Sequence, residues 1–365
     1  MRLASLEVRD LRCLREIPEL LPHPEFNLIT GANAAGKTTI LEAIDLLARG
    51  RSFRSHQAKE LVRRGEKEYL LRGRVDPGDG EEEAVPFTLS QRRTAEKLEL
   101  RCDGEPMKGL SDLAPRLAVQ SIHPDSHTLV HGPPARRRAW LDWGVFHVEP
   151  RYRQSWASYQ RALKQRNAAL KSRNQDPGHW DHPLAEAGEA LTAMRRRYLE
   201  EIRDPLEGFA QILLPGLSLE TGYLPGYDES AGLAESLSAG LKASRESGQT
   251  TTGPHRAELS LALGGMSATR IASRGQSKLL SCCLLLAQVA LFQELRDENC
   301  ILLFDDLSAE LDEQHLGRLL EALSGSEAQL FTTRVRDEPL GRFPEGASGC
   351  AFHVEQGVIS LTSEG

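Results

Sequence analysis

Gly31-Ala32-Asn33-Ala34-Ala35-Gly36-Lys37-Thr38, near the start of the chain, fits the spacing G-x-x-x-x-G-K-[ST]. Glycines at those two places let the backbone turn tightly, so that its N–H groups aim at phosphate oxygens. Far downstream, Ile301-Leu302-Leu303-Phe304-Asp305-Asp306 is an apolar strand pattern ending in two carboxylates, the type of segment that holds Mg²⁺. The two stretches read as halves of one nucleotide site. Most of the chain lies between them, which predicts a head built from both ends with a large insertion.

The context of the loop supports this reading. Phe26-Asn27-Leu28-Ile29 is a short apolar strand running into Gly31, and Ile40, Leu41, Ile44 and Leu47 then fall at helical spacing. The ATP-binding candidates are Gly31, Ala32, Asn33, Ala34, Ala35, Gly36, Lys37, Thr38 and Thr39. Lys37 is expected to reach the β- and γ-phosphates, and Thr38 to ligate Mg²⁺. Asp305 is the expected carboxylate on the metal side, and Asp306 is placed to orient or deprotonate the attacking water.

Composition narrows the class. The chain has 365 residues, 40% of them hydrophobic, enough for a sizeable core in two lobes. A formal charge of −7 gives no global basic signature, so a nucleic-acid partner would have to meet a local patch. Six scattered cysteines without a C-x-x-C pair argue against a disulfide framework or zinc site and for a reducing compartment. Charges come too early after Met1 for a signal peptide. The longest apolar run, Leu279 to Phe292, is shorter than the ~20 residues of a membrane span and reads as a core helix. A cytoplasmic protein is expected.

Strand patterns at 69–75, 85–89 and 98–102 follow the first helix, joined by an acidic Gly/Pro turn. From about Ser111 the character changes. Residues 151–169 and 184–203 read as long Arg-rich helices, 244–254 as a Ser/Gly/Thr loop, and strands resume at 257–263. The expected fold is α/β: an ABC-type P-loop ATPase head from residues 1–110 and 256–365, with a largely helical inserted lobe over 111–255.

Two further pieces support that class. Ser273-Arg274-Gly275-Gln276 precedes the apolar helix and resembles the signature motif of ABC-type ATPases; read alone, it is equally a helix N-cap and turn. Ser308-Ala309-Glu310-Leu311-Asp312 resembles their D-loop. In such heads Ser273, Gly275 and Gln276 would meet a γ-phosphate held by a second subunit, two heads closing head-to-tail about a two-fold axis. Gln120 falls where their Q-loop would contact Mg²⁺ and water, or is a solvent-facing glutamine. Thr332 and Thr333 occupy the switch position, where transporter ATPases carry His.

Across nearly its whole length the chain resembles the RecF family of bacterial recombinational-repair ATPases. The resemblance rests on Ile29–Asn33, Gly50–Arg54, Pro124-Asp125, Leu129–Pro134 leading into Arg136–Asp142, Lys164–Asn167, Trp180-Asp181, Gly253–Arg256, Ser273–Gln276 and Asp305–Asp312. Trp140 stands where the family usually has Phe, and Ala34-Ala35 replaces the commoner Gly-Ser, which should stiffen the loop. The resemblance implies an ATP-dependent, dimerising DNA-binding protein with slow hydrolysis. Such proteins act with RecO and RecR to help RecA load at single-strand gaps, supporting replication, repair and SOS induction.

Clustered cations are the DNA candidates: Arg51, Arg54, Arg136, Arg137, Arg138, Lys164, Arg166, Arg195 and Arg196, with Trp156 and Tyr159 able to stack on bases. The alternative for each is a solvated helix face or a core aromatic. His123, His127, His131 and His255 fit no zinc spacing. A transporter ATPase would show a switch His, a chromosome-organising head long heptad arms, and a nuclease-fused relative a further acidic domain; none is visible in the sequence.

Overall fold

The computed structural model describes residues 1–55, 57–78, 85–172, 175–306, 313–324, 326–334 and 348–364. The chain divides into two compact units, residues 1–126 with 282–365, and residues 127–281. Both boundaries fall later than the expected 110/111 and 255/256. The first moves because Val119–Ile122 pairs in parallel with Ile301–Phe304 and so completes the sheet of the first unit. The second moves because Glu258–Leu263 pairs with Leu219–Leu224 in the other unit.

The first unit contains two six-stranded sheets. One is built on parallel strands in the order Val358–Glu364, Gly349–Glu355, Phe26–Gly31, Gln329–Arg334, Ile301–Phe304, Val119–Ile122, with only the first of these antiparallel to its neighbour. Ile301–Phe304 is buried throughout, as a central parallel strand covered on both faces must be. The second sheet is antiparallel, in the order Leu14–Leu20, Arg2–Leu11, Glu68–Asp76, Phe87–Thr94, Leu98–Cys102, Glu105–Pro106.

Helix Lys37–Arg49 packs against strands of both sheets, and every residue from Thr39 to Ala48 is buried. Ile40, Leu41, Ile44 and Leu47 join Leu3, Leu6, Ile29, Leu71, Leu303 and Phe331 in one core. Full enclosure also buries two acids of this helix, and each has basic company. Glu42 accepts from Arg12 (Nη2–Oε1 2.8 Å) and Ser52, with Arg54 at 3.6 Å, while Asp45 lies 3.1 Å from Arg49 Nε. Burial pushes the Asp45 carboxyl up to about 6 against the pull of Arg49. Gln329 fastens the two sheets, accepting from Leu3 N at 2.7 Å and donating to Leu3 O and His23 O.

The second unit is mainly helical, with Pro134–Val148, Tyr152–Lys171, Asp181–Glu201 and Arg203–Leu213 as its long elements. It also carries a three-stranded antiparallel sheet, Met266–Ser267, Glu258–Leu263, Leu219–Leu224. Helix Arg274–Arg296 is long and apolar enough to cross a bilayer, but 72% of its apolar window is buried in protein, as in a core helix.

Candidate functional site: a P-loop at the carboxyl ends of a parallel sheet

Parallel strands place their carboxyl ends along one edge, where open α/β sheets bind ligands. Gly31, Asp305 and Thr333 all stand at that edge. The loop turns at Gly36, whose φ of 119° is open to glycine and strained for other residues. At Gly31 a Cβ would lie 2.4 Å from Val354 O, so only glycine fits beside the neighbouring strand. Ala34 adopts φ 63°, the left-handed region where the commoner glycine would rest without strain. Ala32, Asn33 and Ala34 are exposed, and Ala35 is buried.

Lys37 Nζ donates to Gly31 O and Ala32 O, both at 2.9 Å, so the ammonium folds over the mouth of the loop. Thr38 Oγ1 donates to Asp305 Oδ1 at 2.8 Å, and Thr333 Oγ1 donates to the same oxygen at 2.8 Å. Asp306 N–H donates to Thr333 Oγ1 at 2.8 Å, and Asp306 itself lies at φ 57°. Hydroxyl and carboxylate oxygens are the donor set a hard divalent cation prefers, and Mg²⁺ with phosphate suits Thr38 and Asp305.

Three expected site residues have buried side chains. Thr39 is buried, its hydroxyl 3.6 Å from Cys13 Sγ. Gln120 is buried before the end of its strand, opposite Leu302, accepting from Arg49 (3.1 Å) and donating to Gln288 (2.7 Å). It is therefore not solvent-facing, and both ends of its amide are engaged within the core. Thr332 points to the opposite face of the strand from Thr333, and its buried hydroxyl makes no hydrogen bond among the described residues. Only Thr333 reaches Asp305. The D-loop candidates Ser308, Glu310 and Asp312 lie outside the described residues.

Ser273 and Gln276 form a reciprocal cap at the start of Arg274–Arg296. Ser273 N–H donates to Gln276 Oε1 at 3.0 Å, and Gln276 N–H donates to Ser273 Oγ at 3.2 Å. Ser273 is exposed, and a Cβ on Gly275 would meet nothing within 4 Å. Among the described residues, no packing contact requires that glycine.

The cationic candidates separate by burial. Arg166 is wholly buried and bonded to Asp181 (2.6 Å) and Thr250 (3.1 Å). Arg195 is buried against Asp142 (2.6 Å) and Pro254 O (2.9 Å). Arg137, also buried, bonds Glu258 (2.7 Å) and the carbonyls of Val130 and Gly132. These three hold the second unit together and are not surface cations. Arg138 is half-buried and donates to Ala257 O at 2.7 Å, and Arg196 pairs with Glu229. Arg51, Arg54, Arg136 and Lys164 are exposed. Tyr159 is buried against His255 Nδ1 at 2.6 Å, which leaves Trp156 as the exposed aromatic of the pair. His255 also donates from Nε2 to Thr250 O at 2.9 Å, and burial pulls its pKa down to about 4. His123 stacks on Phe53, and His131 bonds Ser277.

A phosphate loop beside a strand-end carboxylate on a parallel sheet, with an antiparallel sheet over its helix, defines a P-loop ATPase head of the ABC and SMC type. The family model of the RecF/RecN/SMC N terminal domain matches residues 2–358. The chain is 40% identical over 369 residues to the DNA replication and repair protein RecF of Thioalkalivibrio sulfidiphilus, covering 99% of both chains. It is 38% identical to that of Pseudomonas fluorescens, covering 100% of this chain and 99% of the relative. A solved structure of the recombination mediator protein RecF-ATP in the RecFOR pathway superposes with TM-score 0.86 at 25% identity, over 99% of this chain and 98% of that one. An SmcHead bound to the C-winged helix domain of ScpA shares the fold, with TM-score 0.59 at 15% identity over 99% of this chain and 97% of that one. The chain belongs to the RecF family of DNA replication and repair proteins.

Proposed function

We propose that the chain is an ATP-gated DNA clamp of recombinational repair. ATP binds the P-loop, two copies close head-to-tail on DNA at gaps, and slow hydrolysis releases them. The observation that carries the reading is the convergence of Thr38 and Thr333 on one oxygen of Asp305, at the mouth of the loop. Thr38 and Asp305 would hold Mg²⁺, which neutralises charge on the phosphate oxygens when bound.

This chain's own groups do the rest. Lys37 exchanges its two loop carbonyls for phosphate oxygens. Asp306 orients the attacking water, and its side chain is one methylene shorter than the Glu usual in transporter heads, which favours slow turnover. Thr333 links the backbone of Asp306 to the carboxylate of Asp305, so loss of the γ-phosphate can be felt at both. The exposed Ser273 cap and the open face of Gly275 suit a phosphate held by a second copy.

DNA would meet Arg51, Arg54, Arg136 and Lys164 through its phosphates, with no sequence preference. RecR and RecO are the expected protein partners, recombinase loading, replication and SOS induction the processes served, and the cytoplasm the compartment. No nuclease activity is expected. The test is DNA binding measured against ATP and salt together. A strong ATP requirement with a steep salt slope is expected; binding indifferent to ATP would refute the gating.

A further inference from the structure

Beyond the P-loop helix lies a polar cavity of about 420 Å³, lined by Arg51, Arg93, Ser55 and Tyr69 and walled by leucines that include Leu61 and Leu98. Its construction follows from strand register. Arg93 stands opposite Tyr69 on one neighbouring strand and Leu98 on the other, so the three side chains share one face of the antiparallel sheet. The segment after helix Lys37–Arg49 then brings Arg51 and Ser55 over that face.

Two guanidinium groups, Arg51 and Arg93, face this cavity. Among the described residues, no carboxylate lines it directly. Glu42 and Glu60 accept the hydroxyls of the lining Ser52 and Ser55, and Glu42 is itself paired with Arg12 and Arg54. Arg93 Nε is buried without a hydrogen bond, and neither Arg93 nor Arg51 has an ion pair among the described residues. Leaving a buried guanidinium N–H without an acceptor is costly, so an arrangement of this type suits an anion that arrives from outside. Tyr69 accepts from Gln91 Nε2 at 2.7 Å, which leaves its own hydroxyl hydrogen to donate, and burial raises its pKa so that it keeps that proton.

We infer that this cavity is a binding pocket for a phosphate monoester carried on a nucleoside-sized body. The two guanidinium forks would take the phosphate, as Arg does wherever bidentate recognition of phosphate matters. Tyr69 would donate to it, and the leucines would cover the sugar. The volume is within the range of small-molecule pockets and larger than a bare phosphate fills. Two sources share this chemistry: a free nucleotide, and the 5′-phosphorylated end of a DNA strand.

The test uses the full-length chain carrying Lys37→Ala, so that the P-loop does not compete. Binding of inorganic phosphate, dAMP and a 3′-labelled oligonucleotide with a 5′-phosphate or a 5′-hydroxyl is followed by calorimetry and fluorescence anisotropy. A 5′-phosphate preference of the oligonucleotide identifies the strand end as the source; tight dAMP binding without that preference identifies the free nucleotide. In either case Arg93→Gln should weaken the phosphate-dependent binding about tenfold, the scale of a lost charge-assisted contact, and leave binding of the 5′-hydroxyl strand unchanged, whereas Arg51→Gln, which also removes a proposed DNA contact, should weaken the 5′-phosphate strand about tenfold more than the 5′-hydroxyl strand. Arg51 is exposed, so its variant remains informative should Arg93→Gln fail to fold. Equal binding of every probe by the parent and both variants would overturn the assignment.

Discussion

Thr38 Oγ1 and Asp305 Oδ1 lie 2.8 Å apart although 267 positions separate them in the chain. Two parallel strands and one loop bring them together, and everything proposed for the nucleotide turns on that meeting. Lys37→Met should abolish ATP binding and with it ATP-dependent dimerisation, because no other described side chain of the loop carries a positive charge. Equilibrium dialysis with labelled ATP checks the first effect and sedimentation the second. Retained ATP affinity would remove Lys37 from the site.

Asp306→Asn should separate binding from turnover. The amide cannot take a proton from water, so ATP should still bind and dimers should accumulate while hydrolysis falls by ~10²-fold or more. A variant that stayed monomeric at saturating ATP would show that the carboxylate acts in assembly and not on the water.

Among the arginines, structural and DNA-facing roles make opposite predictions. Arg166→Ala removes one partner of a buried ion pair and should cost ~3–5 kcal/mol of stability. Arg136→Ala or Lys164→Ala should change stability by less than ~0.5 kcal/mol and instead weaken DNA binding, reducing its salt slope by ~1 each. Denaturant melts and salt titrations on the same variants distinguish the two. A stable Arg166→Ala protein that loses DNA would reverse the assignment.

This separation was not visible along the chain. Arg166 and Lys164 sit two residues apart in one helix, and only the positions of Asp181 and Thr250, brought in from later segments, show which of them is interior. Thr332 and Thr333 were equally ambiguous, because strand alternation decides which hydroxyl meets Asp305 and the register of that strand is set by its neighbours. Gln120 likewise needed Arg49 and Gln288 to show that it is a core contact. The strand Leu14–Leu20 escaped because Arg15, Glu16 and Glu19 give it a largely charged outer face. The loop, its strand and helix, and the acidic strand end were legible because each is a local pattern: glycines at fixed spacing, helical periodicity, and an apolar run stopped by acids.

Stability should carry a histidine signature in the second unit. His255 accepts from Tyr159 at Nδ1, and protonation there would break that bond. Its folded pKa of about 4 lies below the ordinary 6.5, so the unfolded chain takes the proton first. The contribution is therefore whole above about pH 6.5 and is lost as pH falls from there towards 4. Asp45, raised to about 6, works with the opposite sign, its contribution falling as pH rises from about 4 to 6. His255→Gln should remove the acid-side loss, and Asp45→Asn the slope of opposite sign. Chemical denaturation between pH 4 and 7 measures both. Parallel profiles for wild type and His255→Gln would contradict the assignment.

The central claim is that each nucleotide is completed by the Ser273–Gln276 turn of a second copy. Mixing two inactive variants tests it most directly. Lys37→Met lacks a working P-loop, and Ser273→Arg keeps its P-loop but presents a blocked turn; each alone should remain monomeric with ATP. Head-to-tail pairing of one with the other leaves one of two composite sites intact, so the mixture should recover ATP-dependent dimers and up to about half the wild-type ATPase rate. A mixture as inactive and monomeric as its components, or a Ser273→Arg protein that dimerises and turns over ATP by itself, would contradict the account.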